Sequence, residues 1–286
     1  MAAGVRIATD STADVPPALA EALQIAVIPC QVFWGQEVYR DGVDLSPGEF
    51  FEKLARSADL PKTSQPPMNR FVETYSRLLD GDGSETVISI HVAGNLSGTV
   101  NAAWAAAQAR PDPSQIEVVD SGQVSMGTGW AVIEAARMAQ AGASRDEVSR
   151  AVRSMLPRLR AAAMIDTLDN LYKGGRISQV TAALGTVLQV KPLISIQDGH
   201  VEIPERVRTR SRALQRLVAM VRGWGPLMRV AVLHAGAEDL ARELAAALED
   251  LAPDGDMLIE PAGAALTTHL GLGAVGVCAI AAADGS

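Results

Sequence analysis

Val5-Arg6-Ile7-Ala8-Thr9-Asp10-Ser11-Thr12-Ala13-Asp14-Val15-Pro16-Pro17 sets the pattern on which the first half of the chain is built. Val5 to Ala8 is a short apolar run of the kind that forms a buried strand, and Thr9 to Asp14 is a polar turn. The two prolines then open a helix, because the N–H that proline lacks would have no partner in a first helical turn. The same order returns twice. Val87-Ile88-Ser89-Ile90 runs through Asn95-Leu96-Ser97-Gly98-Thr99 into an alanine-rich helix ending near Arg110, and Ile116-Glu117-Val118-Val119 ends at Asp120-Ser121-Gly122 before a helix over 129–140. Between these units, residues 25–34 read as one further apolar strand. Ser46-Pro47-Gly48-Glu49 and Ser144-x-x-Glu147 are capping boxes that start helices, and a helix after Pro66-Pro67 carries Phe71, Tyr75 and Leu78 on one face. Strand and helix in regular alternation predict a mostly parallel sheet flanked by helices.

Beyond about residue 160 the pattern changes. Ala163-Met164-Ile165-Asp166 reads as a strand and leads to Tyr172-Lys173-Gly174-Gly175-Arg176-Ile177. Residues 192–196 and 200–207 read as strands joined by Asp198-Gly199, a dipeptide suited to a tight hairpin turn. A helix, a strand over 230–234, a long helix over 239–251 and two closing strands follow. The expectation is an α/β fold in two domains: residues 1–160 with a mostly parallel sheet, and residues 161–286 with a mixed sheet.

Composition narrows the function. Hydrophobic residues make up 48% of the chain but aromatics only 4%, so the core has to be built from Ala, Val, Leu, Ile and Met. The 25 basic and 33 acidic residues leave a net charge of −8, which argues against a nucleic-acid partner and against a surface tuned to anionic lipid. Cys30 and Cys278 stand apart from each other and from any histidine cluster, so neither a disulfide framework nor a metal site is expected. No apolar stretch reaches the roughly 18 residues that span a bilayer, and no signal peptide opens the chain. A cytoplasmic protein without membrane insertion, and by default a monomer, is expected.

Four polar runs fall at strand ends or before helices: Asp10 to Asp14, Thr63-Ser64-Gln65-Pro66, Asn95 to Thr99, and Asp120 to Gly122. Open parallel sheets bind ligands there, since loops converge and helix N-termini offer free N–H groups. Each run taken singly is also an ordinary helix cap. Together they predict a hydroxyl-lined cleft friendly to an anion. The nucleophile elbow G-x-S-x-G, the P-loop and a G-x-G-x-x-G turn after a strand are absent, so hydroxyls without a base favour binding over covalent catalysis. Of the four histidines, His269 in Thr267-Thr268-His269-Leu270-Gly271-Leu272-Gly273 is the best ligand candidate, because the flanking glycines let backbone come close; His234 ranks below it, His91 reads as structural and His200 as solvated. Arg206-Val207-Arg208-Thr209-Arg210-Ser211-Arg212, with Lys173 and Arg176, is either a solvated helix start or a docking face for an acidic partner or a phosphate.

In order along the chain, Asp10-Ser11-Thr12-Ala13-Asp14-Val15-Pro16, Thr63-Ser64-Gln65-Pro66, Leu96-Ser97-Gly98-Thr99, Asp120-Ser121, Gly174-Gly175-Arg176-Ile177, Lys191-Pro192-Leu193, Arg208-Thr209-Arg210 and His269-x-Gly271-x-Gly273 resemble the DegV-like family, whose members look like fatty-acid carriers for bacterial acyl kinases. The resemblance implies two α/β domains enclosing an acyl chain in an apolar tunnel at their junction. It also implies a head-group site made by Thr63 with Ser64, by Ser97, Gly98 and Thr99, and by His269. The family commonly carries a serine pair before the Leu-Ser-Gly-Thr core, where this chain has Ala93 and Gly94; that hydroxyl is then missing, or passes to Ser97 or a water. Leu272 stands where the family usually has proline.

The function so implied is to hold a long-chain fatty acid and present its carboxylate to a separate ATP-dependent fatty-acid kinase subunit, with Arg176, Arg208 and Arg210 docking the partner and with no resident cofactor or metal. Burying about fourteen methylenes would contribute about 11 kcal/mol before ordering costs. The rival is an enzyme, a hydrolase or phosphotransferase using Ser97 or His269 as nucleophile.

Overall fold

In the computed structural model, which describes residues 4–80, 84–178, 190–253 and 257–283, the alternation read from the sequence is present. The chain runs through β1 (Gly4–Asp10), α1 (Pro17–Ala22), β2 (Ala26–Ile28), β3 (Gln31–Trp34), β4 (Glu37–Arg40), α2 (Pro47–Arg56), β5 (Lys62–Ser64), α3 (Met68–Asp80), β6 (Ser84–His91), α4 (Thr99–Gln108), β7 (Ile116–Asp120), α5 (Met126–Gln140) and α6 (Arg145–Met155). It continues with β8 (Leu159–Met164), α7 (Asp169–Lys173), β9 (Lys191–Gln197), β10 (His200–Val207), α8 (Arg210–Arg222), β11 (Leu227–His234), α9 (Glu238–Ala247), β12 (Leu258–Pro261), α10 (Ala264–Leu270) and β13 (Val275–Ala281).

Four strands form a parallel sheet in the order β2-β1-β6-β7, and six form a mixed sheet in the order β10-β9-β8-β13-β11-β12. Both capping boxes are made: Ser46 accepts from the Glu49 N–H, and Ser144 from the Glu147 N–H. Asp198 and Gly199 adopt φ of 49° and 73°, the left-handed pair that a two-residue hairpin turn requires.

Two readings need correction. Residues 25–34 are not one strand. Pro29 cannot donate to a ladder, so the run breaks there, and its halves join different sheets. β2 pairs with β1, while β3 forms a small antiparallel sheet with β4 and β5. The segment before β13 also contains a seven-residue helix, α10, which carries His269.

α5 lies between the two large sheets. Its residues from Met126 to Ile133 are all buried, which marks a helix enclosed on every side. One apolar cluster joins Val5 and Ile7 of β1 and Ile88 and Ile90 of β6, through α5, to Leu233 of β11 and Ile280 of β13. A side chain at Gly129 would place its Cβ 2.5 Å from the Ala13 carbonyl oxygen, so glycine lets the turn after β1 touch the helix. Trp130, 4% exposed, donates its indole N–H to the Cys278 carbonyl at 3.2 Å and ties α5 to β13. Trp130→Ala is expected to cost about 3–5 kcal/mol in urea unfolding; a loss below about 1 kcal/mol would show that α5 is not the central packing element.

Candidate functional site

A cavity opens where the ends of β1 and β6 meet the face of the mixed sheet. The space between atoms there amounts to about 1080 Å³, counting solvent at its mouth. Its body is aliphatic: Ala161, Ala162 and Ala163 of β8, Ile194 and Ile196 of β9, Leu233 of β11 and Val275 of β13 line it. One corner is polar, and there Thr63, Ser64, Gln65, Ser97, Arg176 and His269 come together.

Local structure explains that corner. Thr63 is fixed because β5 pairs with β3, Thr63 lying opposite Val32. Its hydroxyl meets His269 Nε2 at 2.8 Å, a contact between residues 206 apart in sequence. The other ring nitrogen, Nδ1, is buried and has no hydrogen-bond partner among the described residues. The ring lies flat against Gly174, where a Cβ would fall 2.3 Å from Nδ1. Burial, followed by the positive charge of Arg176, pushes the His269 pKa down to about 4, so the ring is neutral at ordinary pH.

Arg176 is half-buried in the cavity wall. Its Nε donates to the Leu96 carbonyl at 3.1 Å and its Nη1 to the Gly174 carbonyl at 2.6 Å. No carboxylate among the described residues pairs with it, so its charge is balanced only by carbonyl dipoles. Gly98 brings the second hydroxyl run close, since a Cβ there would sit 3.1 Å from the Gln65 amide. Ser97 and Thr99 share a 2.7 Å hydroxyl contact at the start of α4, and Thr99 is fully buried. Ser64 turns its hydroxyl onto the Gln65 carbonyl at 3.2 Å. Ala93 is buried, and the Gly94 N–H donates to Asp120 Oδ2 at 3.0 Å; a Cβ at Gly94 would fall 2.7 Å from that oxygen.

The basic run lies apart from the cavity lining. Arg208 is exposed, and Arg210 reaches Asp166 at 3.1 Å, which also holds Lys191 at 2.7 Å. Arg210 lies against the loop after α10, its Nη2 being 3.0 Å from where a Cβ of Gly273 would be.

Asp10 and Asp14 belong to the first polar run and His91 reads as structural, but their partners, and Asp41, are not legible in the sequence. Asp10 is buried and joined to His91 at 2.9 Å, while His91 meets Ser89 at 2.7 Å and Ser89 accepts from Tyr75 at 2.9 Å. Burial alone would raise the Asp10 pKa, but the His91 bond and charge, the Thr12 hydroxyl and the Val92 N–H outweigh it and hold the carboxyl below its usual range. This Ser-His-Asp chain is fully buried and lines no part of the cavity, so it serves structure. Ser97 bonds Thr99 and His269 bonds Thr63; neither forms the nucleophile–base pair that the enzymatic alternative needs.

Asp14 and Asp41 act on α10, whose N-terminus has no cap of its own. Asp14 accepts from the Gly263 N–H and Asp41 from the Ala264 N–H, both at 2.9 Å. The remaining Asp14 oxygen accepts from Ser125 at 2.6 Å, and that of Asp41 from Ser11 at 2.9 Å. Two carboxylates, Asp14 after β1 and Asp41 after β4, thus fix the helix that carries His269.

A family model described as an uncharacterised protein of the DegV family matches residues 4–282, and the chain belongs to that family. It is 36% identical to Protein DegV of Bacillus subtilis over 279 residues, covering 96% of this chain and 98% of that one. Among solved structures it is similar to a Thermus thermophilus DegV family protein described for fatty-acid binding, with a TM-score of 0.88, 31% identity, and 98% and 100% of the two chains covered. It is likewise similar to DegV of B. subtilis, described as a fatty acid binding protein, with a TM-score of 0.87, 32% identity, and 98% and 100% covered. Among the described residues, no helix is long and apolar enough to cross a membrane.

The clamp on α10 makes stability depend on pH in a direction that can be worked out. Burial raises Asp14 from 3.8 to about 7 and Asp41 from 3.8 to about 6, with the neighbouring carboxylates adding to both shifts. The folded protein therefore holds more protons than the unfolded chain between those values, and this contribution is lost as pH rises through about 6 and 7. His269, depressed to about 4, acts oppositely at lower pH. Comparing melting temperatures of wild type and Asp14→Asn from pH 6 to 8 isolates the Asp14 share. The variant is expected to gain on wild type as pH rises, and parallel curves would contradict the assignment.

Proposed function

We propose that the chain binds one long-chain fatty acid, with the acyl chain in the aliphatic cavity and the carboxylate in its polar corner. The observation that carries this reading is the pairing, in one cavity, of an almost wholly aliphatic body with the Thr63–His269 contact and the guanidinium of Arg176, which has no carboxylate partner among the described residues. A carboxylate taken out of water needs donors and a counter-charge, and this corner offers both. The methylenes supply most of the affinity, at about 0.8 kcal/mol each before ordering costs. The fatty-acid binding described for the T. thermophilus and B. subtilis relatives supports the same ligand.

The bound carboxylate, in this reading, is presented to a separate kinase subunit. Its oxygen attacks the γ-phosphorus of ATP held by that partner, giving an acyl phosphate and ADP. Nucleotide and metal come with the partner, and this chain adds binding and orientation without a cofactor of its own. The surface around Arg208 and Arg210, beside the loop that follows His269, is the docking face; Arg176 acts from the cavity wall as counter-charge to the head group.

Mass spectrometry of an organic extract of the purified protein tests the ligand: an acyl chain in near-stoichiometric amount is expected, and neither extracted lipid nor saturable fatty-acid binding would overturn the proposal. Thr63→Val should weaken fatty-acid binding by about fivefold, and Arg176→Ala by about tenfold or more, since the second removes a charged partner. Arg208→Ala should leave fatty-acid affinity unchanged while weakening kinase capture; a loss of lipid affinity in that variant would remove the distinction between the two surfaces.

A further inference from the structure

β9 and β10 form a hairpin whose tip leaves the sheet. β9 pairs with β8 only over Leu193, Ile194 and Ser195, and β10 pairs with β9 alone. Beyond Ser195 the tip, residues 196–201, has no neighbouring strand outside the hairpin itself among the described residues. Within the supported region, opposite Ile194, the register of β10 shifts. Glu202 lies opposite Ser195 and Glu205 opposite Leu193, so Ile203 and Pro204 share the single partner Ile194. Such a bulge bends a strand and interrupts its ladder, and Pro204 adds no N–H to restore it. The tip nevertheless covers the cavity, with Ile196 and Val201 among its lining.

A polar contact fastens the tip to the loop between β6 and α4. The side-chain amide of Asn95 donates to the Asp198 carbonyl at 3.3 Å, and the same carbonyl lies 2.9 Å from His200 Nδ1. The fit is close because the residues facing the turn are small: a Cβ at Gly199 would lie 3.6 Å from the Ala93 Cβ and 3.7 Å from the Asn95 Cβ. We propose that the hairpin tip is a strap over the acyl cavity, bending at Ile203-Pro204 and latched by Asn95, and that it opens to let the acyl chain enter and leave. The latch residue belongs to the loop that carries Ser97, so the strap and the polar corner move or rest together. This inference depends on the acyl-binding reading above.

The 3.7 Å spacing is that of a disulfide, whose Cβ atoms lie about 3.8 Å apart. In the Asn95→Cys, Gly199→Cys double variant, oxidation should slow exchange of a fluorescent long-chain fatty acid by about tenfold or more relative to the same protein reduced. Equal exchange rates in the two forms would overturn the strap; Gly199 sits at φ of 73°, where a cysteine is strained, so if the pair does not oxidise the Asn95→Ala rate decides. Reduced protein that binds no probe would overturn the acyl-binding reading and the strap with it. Cys30 and Cys278 are buried, and the single variants control for them. Asn95→Ala tests the latch separately: dissociation should be about fivefold faster at an unchanged melting temperature, and an unchanged rate would remove Asn95 from the role.

Discussion

Asp14 and Asp41, held in the loops of the first sheets, each accept an N–H from the start of α10, and the polar corner is built on that pair of bonds. A helix of seven residues is too short to persist in water, and this one lacks a side-chain cap of its own. The carboxylates supply the missing acceptors and place negative charge at the positive end of the helix. Burying them is costly, and both titrate well above the usual carboxylate range as a result. The cost is offset by Ser125 and Ser11, which satisfy the remaining oxygens. With the helix fixed at its N-terminus, His269 at its far end is carried to Thr63, and Gly174 leaves just the room the ring needs.

The cavity follows from what the sheets are made of. Ala161 of the mixed sheet packs in the α5 cluster, and Ala163, Ala235, Ala262, Ala265 and Ala274 are small residues that line the cavity with it. Small side chains on opposing surfaces leave unfilled space that larger ones would close. The scarcity of aromatics thus has a structural counterpart: the large buried rings Phe50, Phe71 and Tyr75 are spent on packing helices α2 and α3. A chain of methylenes would restore the dispersion contacts that this wall lacks.

How far the sequence discloses this depends on whether each feature is local. The capping boxes at Ser46 and Ser144, the Asp198-Gly199 turn and the helix after Pro66-Pro67 are determined by neighbours a few residues away, and they are legible. β5 is three polar residues that become a strand only because β3 lies alongside. α10 is capped by residues 249 and 223 positions distant, so no local rule announces it. Arg176 reads as one more surface cation in a basic neighbourhood; only the folded chain turns it into the cavity against the Leu96 carbonyl. Thr63 is a candidate from its polar run and the family resemblance, and His269 from its flanking glycines, but their mutual contact joins a strand to a helix 206 residues away and leaves no trace in spacing.

Ala93 and Gly94 stand where the resemblance implies a serine pair, and their surroundings favour small residues. A Cβ at Gly94 would collide with the Asp120 carboxylate that accepts its N–H, so a serine there would require that bond to break. Ala93 is buried beneath the hairpin turn and within contact of Gly199, so a hydroxyl at that position would face the turn's backbone in a crowded space. The loop has exchanged hydroxyls for close packing, and Asn95 supplies the polar contact at its outer edge. For a carboxylate bound as proposed, the Arg176 guanidinium, which has no carboxylate partner among the described residues, would be a stronger attractor than one more neutral hydroxyl.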